Sequence, residues 1–142
     1  MTDQQDHYAS DLRAQSAAVA HYNAGLCHAL SFDASGIPSL QKAVQIDPDF
    51  ALCHALLGRQ LAIHGQHANG KAALKQAERL AQSATARERS AIAALSAVAT
   101  FHPDAMAICL QHLQSWPADV VVAQLIVGPF GLMSQSDNTG WR

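Results

Sequence analysis

The sequence predicts an all-α chain built from stacked pairs of antiparallel helices, and three observations carry that expectation. First, a small–Gly–Leu–Ala pattern returns after 34 residues: Ala24, Gly36, Leu40 and Ala43 are matched by Gly58, Gly70, Leu74 and Ala77. A unit of this length is one helix–turn–helix, too small to bury its own apolar face and stable only against a neighbour. Second, the chain is 49% hydrophobic but only 6% aromatic, and much of the apolar content is alanine. Alanine favours helix and lets helices approach closely. Third, no stretch alternates apolar and polar residues for long enough to define a strand.

Residues 1–11 read as a polar lead-in. A first helix over 12–30 carries Ala17, Ala20, Ala24, Cys27 and Leu30 at helical spacing. Asp33, Ser35 and Gly36 then form a turn. A second helix spans 37–46, with Pro38 accommodated in its first turn, where its missing N–H has no intrahelical partner to lose. Asp47-Pro48-Asp49 is expected to start the third: Asp47 as cap, Pro48 at the first position, Asp49 against the positive end of the dipole. That helix runs to residue 64 on Phe50, Leu57, Leu61 and Ile63, and Gly65 terminates it. The fourth, 68–82, packs Ala73, Leu74, Ala77 and Leu80.

Thr85-Ala86-Arg87-Glu88 matches a capping box, in which the Thr and Glu side chains each satisfy a free backbone donor. It opens a fifth helix over 86–99. Pro103-Asp104 starts a sixth over 104–115, and Trp116-Pro117-Ala118-Asp119 a seventh that reaches Val127. Gly128, Pro129 and Gly131 interrupt the pattern, and residues 134–142 form a polar tail. The units fall at about 12–47, 48–83 and 84–117, with a partial fourth at 118–133.

The net charge of −2 argues against general attraction to nucleic acid or an anionic membrane. Three cysteines, Cys27, Cys53 and Cys109, form no paired motif and lie in apolar helical runs. Such usage suits a reducing compartment, so a cytoplasmic location is expected. The amino terminus lacks a basic segment followed by an apolar one, so no signal peptide is expected. The apolar stretch 120–133 is broken by Gln124, two glycines and Pro129, and falls short of the roughly 20 residues a bilayer crossing needs.

The spacing resembles the tetratricopeptide repeat, in which small residues sit where paired helices cross and proline punctuates the end. In the first unit those roles fall on Ala24, Gly36, Leu40, Ala43 and Pro48; in the second on Leu57-Gly58, Gly70, Leu74 and Ala77, with Gln82 in the place of proline. The third is looser, with Ala93, Ala105, Cys109 and Pro117, and His112 where a small residue is usual. Three segments, residues 50–59, 85–90 and 128–132, are similar to the amino-terminal part of the tetratricopeptide repeat protein 38-like family. The resemblance implies a right-handed superhelical stack, an α-solenoid, with no catalytic residues to carry over. It also implies a concave surface lined by the first helix of each unit: His21, Gly25, His28, Ala55, Arg59, Ala62, Ser90 and Ala94. Members of that family are longer arrays, so the chain resembles an amino-terminal piece or a shortened relative.

Direct chemistry finds little support. His64 and His67 share a three-residue spacing, but Gly65 ends the helix between them and no further ligand adjoins, so a solvated pair is the simpler reading. Cys-His-Ala-Leu occurs at 27–30 and 53–56, out of phase with the repeat, and adjacent residues on a helix point about 100° apart. Buried thiols in Ala/Leu surroundings have raised pKa values and make poor nucleophiles. No phosphate-cradling glycine loop is present in the sequence. Lys71, Lys75 and Arg79 form a basic stripe best read as a solvated face.

The expectation is a non-enzymatic helical-repeat scaffold without cofactor or metal, acting on a protein or peptide partner. The alternative is an accessory or regulatory segment of an enzyme or of a longer array. The apolar set Val120, Val121, Val122, Leu125, Ile126, Val127, Phe130 and Leu132 exceeds what one helix face can bury, so the expectation is either self-association through this end or a fragment whose following helices are absent.

Overall fold

The computed structural model describes residues 2–6, 11–128 and 130–134. The described residues form seven α-helices: α1 (Ser16–Leu30), α2 (Ile37–Ile46), α3 (Ala51–Ile63), α4 (His67–Leu80), α5 (Ala86–Ala99), α6 (Ala105–Ser115) and α7 (Val120–Val127). The helical fold class read from the sequence holds. The capping box at the start of α5 forms in full: Glu88 N–H donates to Thr85 Oγ1 at 3.1 Å, and Thr85 N–H to Glu88 Oε1 at 3.1 Å. Asp119 caps α7, its Oδ1 accepting the Val121 N–H at 3.0 Å. Asp47 does not cap α3 directly. Its carboxylate closes a turn by accepting the Asp49 N–H at 3.2 Å, and the helix starts only at Ala51.

Residues expected as lead-in and as the first turn of α1 instead form a small antiparallel ribbon, β1 (Thr2–Gln5) with β2 (Asp11–Ala14), Thr2 opposite Ala14 and Gln5 opposite Asp11. Its inward residues Leu12 and Ala14 are fully buried, while Arg13 between them points out. Two inward residues are too few for a two-residue period to show in sequence. Backbone donors fasten the segment: the Arg13 N–H reaches Glu88 Oε1 at 2.8 Å, and the Gln15 N–H reaches Asp47 Oδ2 at 2.9 Å. The expected tail from residue 135 onward lies outside the described residues.

The helices pack as pairs, α1 with α2, α3 with α4 and α5 with α6. Gly58 faces Leu74 while Ala62 faces Gly70, so α3 and α4 run in opposite directions. Gly25 faces Leu40 while His28 faces Gly36, which sets the same sense for α1 and α2. In the first pair the crossing residue is therefore Gly25, and Ala24, which preserves the 34-residue spacing, is exposed. The offset arises because Gly25 and Gly36 are eleven residues apart whereas Gly58 and Gly70 are twelve apart.

α1, α3 and α5 end in the same way. Phe32 (φ 56°), Gly65 (φ 91°) and Phe101 (φ 54°) each adopt left-handed backbone just past the helix. The following N–H groups close back onto the last turn: Asp33 to His28 O at 2.9 Å, Gln66 to Leu61 O at 2.7 Å and His102 to Ala97 O at 2.9 Å. This is the Schellman closure, which satisfies carbonyls left over at a helix end. It is a threefold structural repeat that the side chains conceal, since Phe and Gly share no chemistry. A phenylalanine in this conformation is disfavoured by about 1–2 kcal/mol.

α3 touches both α1 and α5, α5 touches α7, and α7 returns to α1, where the Phe32 and Phe130 rings meet at 5.5 Å. Tyr22, Leu26, Phe50, Leu52 and Leu56 fill the centre, with the Tyr22 and Phe50 rings 5.0 Å apart. No helix among the described residues is long and apolar enough to cross a membrane.

Candidate functional site

A close contact between two helices borders a hollow. An added Cβ on Gly58 would lie 2.7 Å from Gly70 O, and one on Gly70 would lie 2.6 Å from Gly58 O, so the α3 and α4 backbones touch. The side chains flanking that seam, Ala55 and Ala62, are too short to fill the space toward α5. The result is a groove of about 550 Å³ with Leu95 and Val98 of α5 as its far wall and Phe101 and Phe130 at its edge. Phe101 is 81% exposed.

Arg59 enters this apolar groove from α3. One terminal nitrogen donates to the Phe130 carbonyl at a long 3.5 Å, and its buried Nε has no hydrogen-bond partner. Burial pushes the guanidinium pKa down, opposed only by the nearby Cys109 thiol. His67 and Lys71 of α4 add basic groups, and among the described residues the walls carry no carboxylate.

Of the residues expected to line a partner surface, Ala55, Arg59 and Ala62 come together here. The others do not join them. Gly25 is buried at the α1–α2 crossing, where a Cβ would meet Leu40 at 2.5 Å. Ala94 is fully buried. His21 is half-buried on α1 outside the groove walls, and His28 is exposed with Nδ1 3.0 Å from Asp33 Oδ2. Hydrogen bonds from the Ser35 hydroxyl and N–H, helped by that contact, hold the Asp33 carboxyl pKa at about 2. Phe101, Phe130, His67 and Lys71 were missed as site residues. Lys71 had the signal of a basic stripe; it stays exposed, and only the placing of α5 beside α4 makes it part of a groove wall.

Ser90 belongs to a second, buried constellation. Its Oγ lies 2.7 Å from His112 Nδ1, and His112 Nε2 lies 2.7 Å from Asp119 Oδ2. The same carboxylate oxygen accepts from Arg87 at 3.0 Å, and Asp6 approaches Arg87 at 4.0 Å. A neutral imidazole with its proton on Nε2 satisfies both His112 contacts, accepting from Ser90 and donating to Asp119. Burial alone would raise the Asp119 pKa, but the His112 hydrogen bond and the Arg87 charge outweigh it and hold it below the usual carboxylate range. Burial likewise works against the Arg87 charge, and Asp119 more than compensates. The order Ser–His–Asp invites a nucleophilic reading. However, Asp119 is already shared between an arginine, a histidine and a helix cap, and Ser90 does not face the groove. The arrangement acts as a tie joining α5, α6, the start of α7 and the residue after β1.

Among the described residues, no three His, Cys, Asp or Glu side chains converge as a metal site. Cys53 and Cys109 are buried with thiols pushed up by desolvation, whereas Cys27, expected in an apolar setting, is exposed. No family model, no curated protein and no solved structure matches the chain.

Proposed function

We propose that this chain is a helical-repeat interaction module of the tetratricopeptide kind, related to the tetratricopeptide repeat protein 38-like family, which docks an extended segment of a protein partner. The groove between α3, α4 and α5 is the docking site, a narrower surface than the concave face the resemblance implied. The observation that carries the reading is Phe101, a large apolar side chain 81% exposed at the groove edge on left-handed backbone. Exposed aromatics beside an apolar hollow are characteristic of interaction surfaces. In this reading the protein is not an enzyme, needs no cofactor, and works in the reducing cytoplasm.

A photo-crosslinking side chain placed at position 101 tests this in cells producing the full chain. A discrete adduct is expected from position 101 and none from position 20, which is exposed on α1 and is not a groove-lining residue. The adduct should vanish when Ala62→Trp fills the groove. Equal labelling at both positions, or labelling indifferent to Ala62→Trp, would overturn the reading.

A second reading is favoured by a different surface. Val127 at the end of α7 and Phe130 and Met133 beyond it are 71%, 49% and 51% exposed, although Val121, Val122, Leu125 and Ile126 are buried. Such an end suits the next helix of a longer array, an enzyme to which the module is accessory, or a second copy of the chain. Sedimentation over a concentration series separates self-association from the other two.

A further inference from the structure

We infer that the segment docked in the α3–α4–α5 groove is an apolar peptide stretch carrying an Asp or Glu side chain, whose carboxylate seats on Arg59. This rests on the groove being the docking site, and adds what the partner must present.

The argument starts from an imbalance of charge. A guanidinium in an apolar recess loses hydration and normally recovers it through a carboxylate or several carbonyls. Elsewhere this chain follows that rule: Arg87, more deeply buried than Arg59, is held by Asp119 at 3.0 Å with Asp6 at 4.0 Å. Among the described residues Arg59 has no such counter-charge; its one acceptor there is the Phe130 carbonyl at 3.5 Å, and its Nε is buried without a partner. Lys71 on the facing wall increases the positive potential, with no described carboxylate among the lining residues to offset it.

The remaining walls are Ala55, Ala62, Leu95 and Val98, with Phe101 at the edge, so the occupant must also be mostly apolar. A volume of about 550 Å³ holds a few side chains and not a folded domain. A carboxylate placed among them meets the planar donor fork of arginine, which binds carboxylates in two parallel hydrogen bonds. A purely apolar segment would leave Arg59 desolvated and unpaired, and a basic one would be repelled. The groove therefore selects an acidic residue with apolar neighbours.

The test selects random dodecapeptides on the purified full chain and measures the recovered peptides by fluorescence anisotropy. Recovered sequences should pair one Asp or Glu with neighbouring Leu, Ile, Phe or Met. Their Glu→Gln or Asp→Asn versions should bind at least tenfold more weakly, and Arg59→Met should abolish that difference while Arg59→Lys keeps part of it. Thermal melting of Arg59→Met confirms that the variant is folded. Apolar peptides that bind in the groove equally well with acid or amide would overturn the carboxylate anchor and leave the docking site standing. Peptides whose binding ignores Ala62→Trp would overturn the docking site itself. Arg59-dependent binding of decanoate without any peptide binding would make the occupant a small amphiphile and overturn the proposal.

Discussion

Gly58→Ala adds one carbon at the seam that borders the groove, and its consequence can be worked from distances. The new Cβ would sit 2.7 Å from Gly70 O and 3.1 Å from Leu74 N, both backbone atoms that no rotamer change can move aside. Reaching an ordinary contact near 3.4 Å requires α3 and α4 to part by about 0.7 Å. A gap of that size forfeits about a quarter to a half of each dispersion contact along the seam. Overpacking of this kind costs about 1–3 kcal/mol, and the better helix propensity of alanine returns up to about 1 kcal/mol. The net loss is about 1–2 kcal/mol. With an unfolding entropy near 2.1 cal/mol/K per residue, the midpoint of thermal unfolding should fall by roughly 3–7 °C. Urea titration followed by circular dichroism measures the same loss at constant temperature. Ala24→Leu, on an exposed face, should stay within about 0.5 kcal/mol of the parent. A Gly58→Ala protein as stable as the parent would refute the close backbone contact. A costly Ala24→Leu would restore the 34-residue register in place of the observed one.

The buried tie gives a larger effect: Asp119→Asn leaves Arg87 without its main counter-charge and should cost about 3–5 kcal/mol in urea unfolding. Because the folded Asp119 pKa is lowered, its stabilisation is complete above the unfolded value near pH 4 and is lost as pH falls through the folded value. Glu88, raised by burial despite its hydrogen bonds, acts in the opposite sense, its contribution being lost as pH rises through the folded value, so the acid loss assigned to Asp119 is read from Asp119→Asn, whose stability should vary less than the parent's below roughly pH 4. Thr85→Ala removes one half of the capping box and should cost about 1 kcal/mol by the same titration. Leu12→Ala should cost about 2–4 kcal/mol, since the side chain is fully buried; a neutral result would return β2 to a solvated lead-in.

What the sequence revealed depended on how local the signal was. The Thr85–Glu88 box, the stop at Gly65 and the Asp119 cap are set by neighbours within a few residues, and the structure contains all three. The ribbon escaped because each strand has four residues and β2 is defined by distant partners, Glu88 for Arg13 and the core for Leu12. Gly25 was misplaced because sequence spacing registers a period but not the one-residue difference in a connecting turn. Three of the site residues were legible from their place on the first helix of the second unit. Phe101 was not, because nothing local marks a phenylalanine as the third member of a series whose others are Phe32 and Gly65. The Ser90–His112–Asp119–Arg87 tie spans 32 residues and three helices, and His112 registered only as a departure from a small residue.

Hydrogen-exchange mass spectrometry of the full chain, with and without a peptide recovered on it, tests the docking account most directly. The account predicts that bound peptide slows exchange in α3, the first half of α4 and the end of α5 through Phe101, and leaves α1 and α2 unchanged. Protection centred on α1 and α2, or on the surface beyond α7 with α3 unaffected, would contradict it.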